Sequence, residues 1–482
     1  MPGFHIENFG CRAARADGEV IGARLTASGQ HSVRQLPEAD VVVVNTCTVT
    51  AEADRQARAF IRRANRLNPA AKIVVTGCYA QRAPSELAAM TGVAAVVGNS
   101  HKALVPEIVS DVTAGPSASA RTADGFVSVE SLFAARDPVA HIWADDEFAH
   151  TFIEEAQLVP GLQTRPNLKI QEGCGNRCTF CVIPFTRGPS RSLAFESVMR
   201  QVEGFVAAGG NELVLSGINL GRWGRELTEK TSLSSLVRHI LTRTALPRLR
   251  LSSIEPMDWD DELIGLMAEF GGPHTREPRL ARHAHLPLQS GSDAVLRRMH
   301  RRYRPWHYAE KVAALLRAAG PALTLGADVM VGFPGETDTE FEETVAFIRA
   351  LPFGYLHLFP FSPRPGTRGW ELHQAAPVAA GLVEERINVL RSLAREMTFA
   401  HRSQMIGHEL AAITLRTPPA LAGQGRSEAL TDNFLPVELE GVFGANRLLR
   451  IAVTGLSTEG ALIACPVLCG VNATRLCAAT AS

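Results

Sequence analysis

No stretch of this 482-residue chain approaches the roughly 20 consecutive apolar residues of a membrane-spanning helix. The opening residues, MPGFHIENFGCRAARADGEV, lack the charged-then-apolar pattern of a secretory leader. Net charge is absent too, since 49 Lys and Arg balance 49 Asp and Glu. A nucleic-acid partner would therefore be held by local patches and not by a general positive field. Cysteine is scarce, with nine residues in all. Together these absences argue against a membrane partner and for a cytoplasmic location. Disulfides are rare there, and clustered thiols more often bind metal. What is present is 46% hydrophobic and 20% charged residues, enough for two or three globular domains.

Six of the nine cysteines fall in two groups. Residues 173 to 181 read GCGNRCTFC and hold Cys174, Cys178 and Cys181 at C-x3-C-x2-C spacing. Cys11, Cys47 and Cys78 are far apart in sequence, but each follows a short apolar run: FHIENF, VVVVNT and IVVTG. Continuous β-branched runs alternating with helical stretches, such as Ala51 to Leu67, suit a doubly wound parallel sheet covered on both faces. Each of these three thiols then lies just past the carboxyl end of a strand, where open α/β sheets bind ligands. Polar or small neighbours in NTC and TGC suit ligand loops better than buried core thiols.

The stretch GPSASARTADG reads as a linker, and WADDEFAH adds a short acidic run that suits a solvated face. From Leu168 the alternation resumes. Strands are expected at 168–171, 212–216, 248–253, 282–288, 325–331 and 355–361, with helices between them near 194–208, 232–242, 260–270, 305–319 and 338–350. Six such units predict a partial (βα)6 barrel with its chemistry at the carboxyl ends of the strands. Cys174, Cys178 and Cys181 follow the first strand at that end. Beyond about residue 402, HELAAITL, LPVELEG and LLRIAVTG predict a small antiparallel β barrel of roughly 60 to 70 residues. Cys465, Cys469 and Cys477 close the chain at loose spacing and are not read as ligands.

A structural zinc site uses four ligands and leaves no position open. Each trio here stops at three, and no neighbouring His completes finger spacing. Iron–sulfur clusters are held by thiolates, and three thiolates on a four-iron cluster leave one iron free.

C-x3-C-x2-C after the first strand of a βα barrel, with Phe180 before Cys181, resembles the radical S-adenosylmethionine superfamily. Within it, FGCR, VNTCTVTAEAD, VVTGCYAQ, GCGNRCTFCVIPFTRGPSRS, LSGINLG, HLPLQSGSD, DVMVGFPGET and FPFSPRPGT resemble the methylthiotransferases over nearly the whole chain. The resemblance implies an N-terminal methylthiotransferase domain at 1–110, a linker at 111–160, a radical S-adenosylmethionine domain at 161–400 and a TRAM-like RNA-binding barrel at 401–470. It implies two 4Fe-4S clusters and S-adenosylmethionine as cofactors. Cys11, Cys47 and Cys78 match the auxiliary cluster's ligands, and Cys174, Cys178 and Cys181 match those of the radical cluster. GCR, NTCTVTAEAD and PFTRGPSRS are similar to the subgroup acting on N6-threonylcarbamoyladenosine at position 37 of tRNA, next to the anticodon. In one departure from that subgroup, Ala13 and Ala14 follow Cys11–Arg12 where an Asn is usual. Enzymes for isopentenyladenosine tRNA or for an aspartate of a ribosomal protein are the alternatives. A non-catalytic zinc RNA-binding protein is the reading from a different class.

The implied reaction adds a methylthio group to C2 of the adenine. That C–H bond is unactivated, so a cofactor-derived radical is required. One S-adenosylmethionine methylates a sulfur on the auxiliary cluster, and a second is cleaved at the radical cluster. The partners implied are the tRNA anticodon stem-loop, an electron donor such as flavodoxin or ferredoxin, and a sulfur source. Ser252, Ser253, Gln289 and Gly332 follow strand ends and are placed to meet the S-adenosylmethionine. His283 and His285 share a strand face and read as satisfied core histidines. Arg55, Arg58, Arg62 and Arg66 on one helix side, and RRMHRRYRPWH at 297–307 with Tyr303 and Trp306, are the candidate RNA patches.

Overall fold

Four successive valines set the pattern of the first sheet. In the computed structural model, which describes residues 1–114, 140–152 and 164–467, Val42 and Val44 pack with Ala57, Phe60 and Ile61 on one side. Val41 and Val43 pack with Ile21, Leu25, Val105 and Val109 on the other. A strand that alternates its side chains between two covered faces must be apolar at every position. The sheet is parallel, in the order β2-β1-β3-β4-β5-β6. Its strands are β1 (Gly3–Asn8), β2 (His31–Ser32), β3 (Val41–Thr46), β4 (Lys72–Gly77), β5 (Val93–Gly98) and β6 (His141–Trp143). Helices α1 (Arg12–Ala27) and α5 (Val105–Ala114) cover one face. Helices α2 (Ala51–Leu67), α3 (Cys78–Arg82) and α4 (Pro84–Ala88) cover the other. Thr50 caps α2 by accepting the Ala53 N–H, with Glu52 and Asp54 in its first turn.

The chain divides into two units. The sheet's unit comprises Met1–Gln157, Glu172–Arg191 and Ser362–Thr367, so it takes in the loop of Cys174, Cys178 and Cys181. The stretch expected to be a linker contributes β6, which pairs with β5 at the sheet edge. GPSASARTADG itself lies outside the described residues.

The second unit holds the partial barrel. Strands β7 (Asn167–Glu172), β9 (Glu212–Gly217) and β10 (Arg248–Leu251) are parallel neighbours, with the short β8 (Arg191–Ser192) beside β7. Strands β11 (His283–His285), β12 (Thr324–Val331) and β13 (Phe353–Pro360) form a second parallel set. A bridge joins the sets, with Leu249 donating its N–H to the Arg279 carbonyl at 2.7 Å and accepting from Ala281 at 2.9 Å. Helices 195–207, 233–243, 261–271, 305–319 and 338–349 alternate with the strands, and a long helix at 380–403 follows β13.

In the same unit a closed barrel runs β14 (Glu409–Thr414), β15 (Arg426–Thr431), β16 (Pro436–Glu440), β18 (Leu462–Pro466) and β17 (Leu448–Leu456). It is not wholly antiparallel, because β16 and β18 pair in parallel. Cys465 lies in β18, while Cys469 and Cys477 fall outside the described residues. The turn after β15 meets the foot of the larger barrel. Asp432 takes a forked pair of bonds from Arg282 at 2.5 and 3.0 Å, and Phe434 packs on His283 with ring centres 4.5 Å apart. Arg250 lies over Phe434 and donates to the Thr431 carbonyl at 3.1 Å. No helix among the described residues is long and apolar enough to cross a membrane.

Candidate active site

Cys11, Cys47 and Cys78 follow β1, β3 and β4, three neighbouring strands. The strand order reverses between β1 and β3, and such a switch point leaves a crevice at the carboxyl edge. Glycine makes the approach possible. A Cβ on Gly10 would stand 2.8 Å from the Cys47 sulfur, and one on Gly77 would stand 2.3 Å from the Thr46 carbonyl oxygen. Both residues have positive φ. Cys47 and Cys78 are buried and Cys11 is exposed. Burial pushes the Cys47 thiol up to about 12, and negative charge on Cys78 and Cys11 adds to the rise.

The sulfur of Cys78 accepts two N–H bonds, from Arg187 Nε at 3.1 Å and Asn99 Nδ2 at 3.4 Å. Arg187 is fully buried, and its Nη1 donates to Glu172 at 2.6 Å and lies 3.5 Å from Asp17. Asp17 also pairs with Lys102 at 2.5 Å. Burial works against the Arg187 charge, but Cys78, Glu172, Asp17 and Cys11 outweigh it and hold the guanidinium protonated. Glu172 and Arg187 flank the GCGNRCTFC loop, so one ion pair braces both of its ends. The loop base is also closed by the Cys174 N–H bonding the Gly188 carbonyl at 3.1 Å. Gly173 is needed there, since a Cβ would fall 1.9 Å from the Pro189 oxygen. The three loop thiols are half-buried.

Two further motifs meet beside this crevice. Asp54 of α2 is buried between Arg82 at 2.9 Å and Arg364 at 2.8 Å, joining VNTCTVTAEAD to FPFSPRPGT. None of Arg187, Asn99, Asp17 or Arg364 was singled out from sequence. Arg187 and Arg364 do lie inside quoted motifs, but their burial was not readable there.

In the second unit, the carboxyl ends of the barrel strands carry polar atoms without a hydrogen-bond partner. Ser216 Oγ near the end of β9, Ser252 Oγ after β10 and Gln289 Oε1 after β11 are all buried. Such atoms suit a polar ligand, because leaving them dry and unmatched costs free energy. Gln289 also holds a φ of 64°, unusual for a residue with a side chain. Ser253 is half-buried. Gly332 differs, since its N–H already bonds Glu336 at 2.9 Å and its missing Cβ makes room for Val383.

His283 and His285 are buried and both bond the Tyr355 hydroxyl, at 2.8 and 3.0 Å, and His285 also lies 3.1 Å from Asp328. Arg58 pairs with Glu86 and the Tyr79 hydroxyl, while Arg55, paired with Glu52, and Arg62 and Arg66 are exposed on that helix face. The 297–307 segment is largely not a free patch. Arg297 and Arg304 pair with Asp293, Arg298 with Glu340 and Arg301 with Glu255, while Tyr303 is buried. Arg302 and Trp306 are exposed.

The parallel open barrel and its three-thiol loop define the class, a radical S-adenosylmethionine enzyme. The model of the Radical SAM superfamily matches residues 168–348, and that of Uncharacterized protein family UPF0004 matches residues 3–98. The chain is 32% identical to threonylcarbamoyladenosine tRNA methylthiotransferase MtaB of Aquifex aeolicus, over 93% of this chain and 99% of that one. It is 34% identical to the protein of that name from Bacillus subtilis, over 91% and 90%. A tRNA-2-methylthio-N(6)-dimethylallyladenosine synthase of Cereibacter sphaeroides is 32% identical over 93% and 95%. Among solved structures, the radical S-adenosylmethionine methyltransferase TsrM of Kitasatospora setae shares the fold, with a TM-score of 0.51 at 16% identity over 77% and 78%. The chain belongs to the radical S-adenosylmethionine methylthiotransferase family, and it is a transferase.

Proposed function

We propose that this enzyme adds a methylthio group to C2 of N6-threonylcarbamoyladenosine at position 37 of tRNA. The observation that carries the reading is the pair of three-thiol sites in one unit, tied together through Arg187. Cys11, Cys47 and Cys78 would hold the auxiliary 4Fe-4S cluster, and Cys174, Cys178 and Cys181 the radical one. When bound, these groups and S-adenosylmethionine supply the sulfur, the electron and the radical that an unactivated C–H bond demands. The chain's own residues set the stage. Three thiolates leave one cluster corner open, as the donor count of each trio supports. Arg187 and Asn99 donate to the Cys78 sulfur and fix it. Ser252 and Gln289, with Ser253 beside them, offer S-adenosylmethionine polar atoms on the barrel rim. Gly332 shapes the neighbouring turn.

The substrate choice is supported by the methylthiotransferases for threonylcarbamoyladenosine at 32% and 34% identity. Relatives acting on dimethylallyladenosine reach similar identity, so the second reading is that nucleoside. The small C-terminal barrel is our candidate for gripping the tRNA, and the cytoplasm the place where it would meet one.

Anaerobic reconstitution tests the reading. The wild type should take up about eight irons per chain, four per cluster. Replacing Cys174, Cys178 and Cys181 with Ala should halve that number and abolish 5′-deoxyadenosine formation. Full iron content in that variant, or a colourless wild type holding zinc in place of iron, would refute it.

A further inference from the structure

The inner face of β11, β12 and β13 carries a polar row that nothing above employs. Gly354 of β13 faces His401 of the helix at 380–403, so Tyr355, His357 and Phe359 point the other way. On β12, Gly326 lies against the Tyr355 ring, which puts Gly326, Asp328 and Met330 on that same inner face. Asp328 is the register partner of His357. Its carboxylate lies 3.1 Å from His285 Nε2 and 3.2 Å from His357 Nδ1. Burial works against the Asp328 charge, but hydrogen bonds from His285 and His357 outweigh it and hold the carboxyl well below its usual range. The row is floored by Tyr355 and His283, with Phe434 against both rings. It opens outward, since side-chain exposure climbs from 9% at His285 to 27% at Asp328 and 61% at His357.

One layer nearer the carboxyl ends, Met330 is the register partner of Phe359. A thioether beside an aromatic ring is a surface on which a flat base packs. The two layers are separated by two residues, or about 6.6 Å along a strand. Phe359 is half-buried and Met330 is buried beside it, so an apolar layer adjoins the charged, hydrogen-bonding one.

We propose that His285, Asp328 and His357 form the recognition subsite for the N6 substituent, with the adenine on the Met330–Phe359 layer. The inference rests on threonylcarbamoyladenosine being the substrate. That substituent carries a carboxylate, a hydroxyl and urea N–H groups. The carboxylate meets the ring nitrogen of His357 that Asp328 leaves available, and an N–H or hydroxyl donates to Asp328. An isopentenyl tail would dry the Asp328 carboxylate and return no bond. Sites built to hydrogen-bond a substrate reject the analogue that cannot.

The test uses anticodon stem-loops that differ only at N6, bearing threonylcarbamoyl, its methyl ester or isopentenyl, with the reconstituted full-length enzyme. Wild type should bind the free acid roughly tenfold or more tighter than the ester, the usual worth of a hydrogen bond to a charged group. His357→Phe should erase that difference through KM, and His357→Gln, which keeps a donor, should restore part of it. Equal binding of acid and ester by the wild type overturns the subsite and needs no variant. Acid preference unchanged in His357→Phe overturns it too. So does discrimination that appears only with added divalent metal, since the three ligand atoms lie within 4.8 Å of one another and would then be a metal site. A wild type that modifies only the isopentenyl stem-loop fails the substrate reading itself.

Discussion

Arg187 is the residue on which most of the first unit's chemistry converges. It donates to the Cys78 sulfur and neutralises Glu172 and Asp17 with no exposure to water. Removing one partner of a buried charge network typically costs about 3–5 kcal/mol, because the remaining charges stay buried. Arg187→Met should therefore destabilise the metal-free protein by a free energy of that order, read from its denaturation curve. It should also reduce iron uptake at Cys11, Cys47 and Cys78 in a background lacking Cys174, Cys178 and Cys181. Wild-type stability with wild-type iron would show that the guanidinium supports neither. In the second unit, His401 and Glu212 are two of the groups that set acid sensitivity. Burial first, and then Arg402, lower His401 from 6.5 to about 4. Its contribution is present above 6.5 and lost as pH falls to about 4, because the unfolded chain takes the proton more readily. Glu212 is dried by burial, but Arg250, Arg248 and Arg165 bring it from 4.5 down to about 2. Its contribution is lost lower, as pH falls from 4.5 toward 2. Unfolding followed against pH should show both declines, and His401→Gln should remove the upper one.

At the scale of elements, the auxiliary trio is the part to test by subtraction. Cys11, Cys47 and Cys78 come from three strand ends, so replacing all three with Ala removes no residue of the GCGNRCTFC loop and keeps the Arg187–Glu172 pair. That variant should still form 5′-deoxyadenosine but make no methylthio product. Product in a single turnover would make the trio structural. Much of this layout was legible in the sequence. The helix expected at Ala51 to Leu67 has those bounds, and the barrel strands and helices fall within a few residues of expectation. Apolar runs with β-branching and buried faces are strong local signals. Less was readable in the small barrel. Strand β15 reads RSEALT and turns Ser427, Ala429 and Thr431 inward, residues with no hydrophobic signature of their own. The 297–307 patch misled for a related reason. Four of its five arginines are spent on Asp293, Glu340 and Glu255, acids distant enough in sequence that no local reading pairs them all. Candidate ligand positions were visible as residue types at strand ends, whereas the donors to Cys78 depend on tertiary packing.

At the scale of the whole molecule, the small barrel belongs to the same unit as the radical barrel and is fastened to its foot. Asp432 and Arg282 are both buried and share two hydrogen bonds. Asp432→Ala should cost about 3–5 kcal/mol by stranding the guanidinium. A chain cut near residue 403 should be unstable, not merely weak for RNA, because it leaves Arg282 without Asp432 and Arg250 without the Thr431 carbonyl. RNA contacts are better probed by substituting exposed residues, with affinity measured across a salt series. The substrate is the claim on which the functional account depends most. Nucleoside mass spectrometry after anaerobic incubation of the reconstituted enzyme with equal amounts of threonylcarbamoyladenosine tRNA and isopentenyladenosine tRNA tests it in one experiment. The expected product is 2-methylthio-N6-threonylcarbamoyladenosine, with the isopentenyl tRNA unchanged. The 2-methylthio isopentenyl nucleoside alone would contradict it.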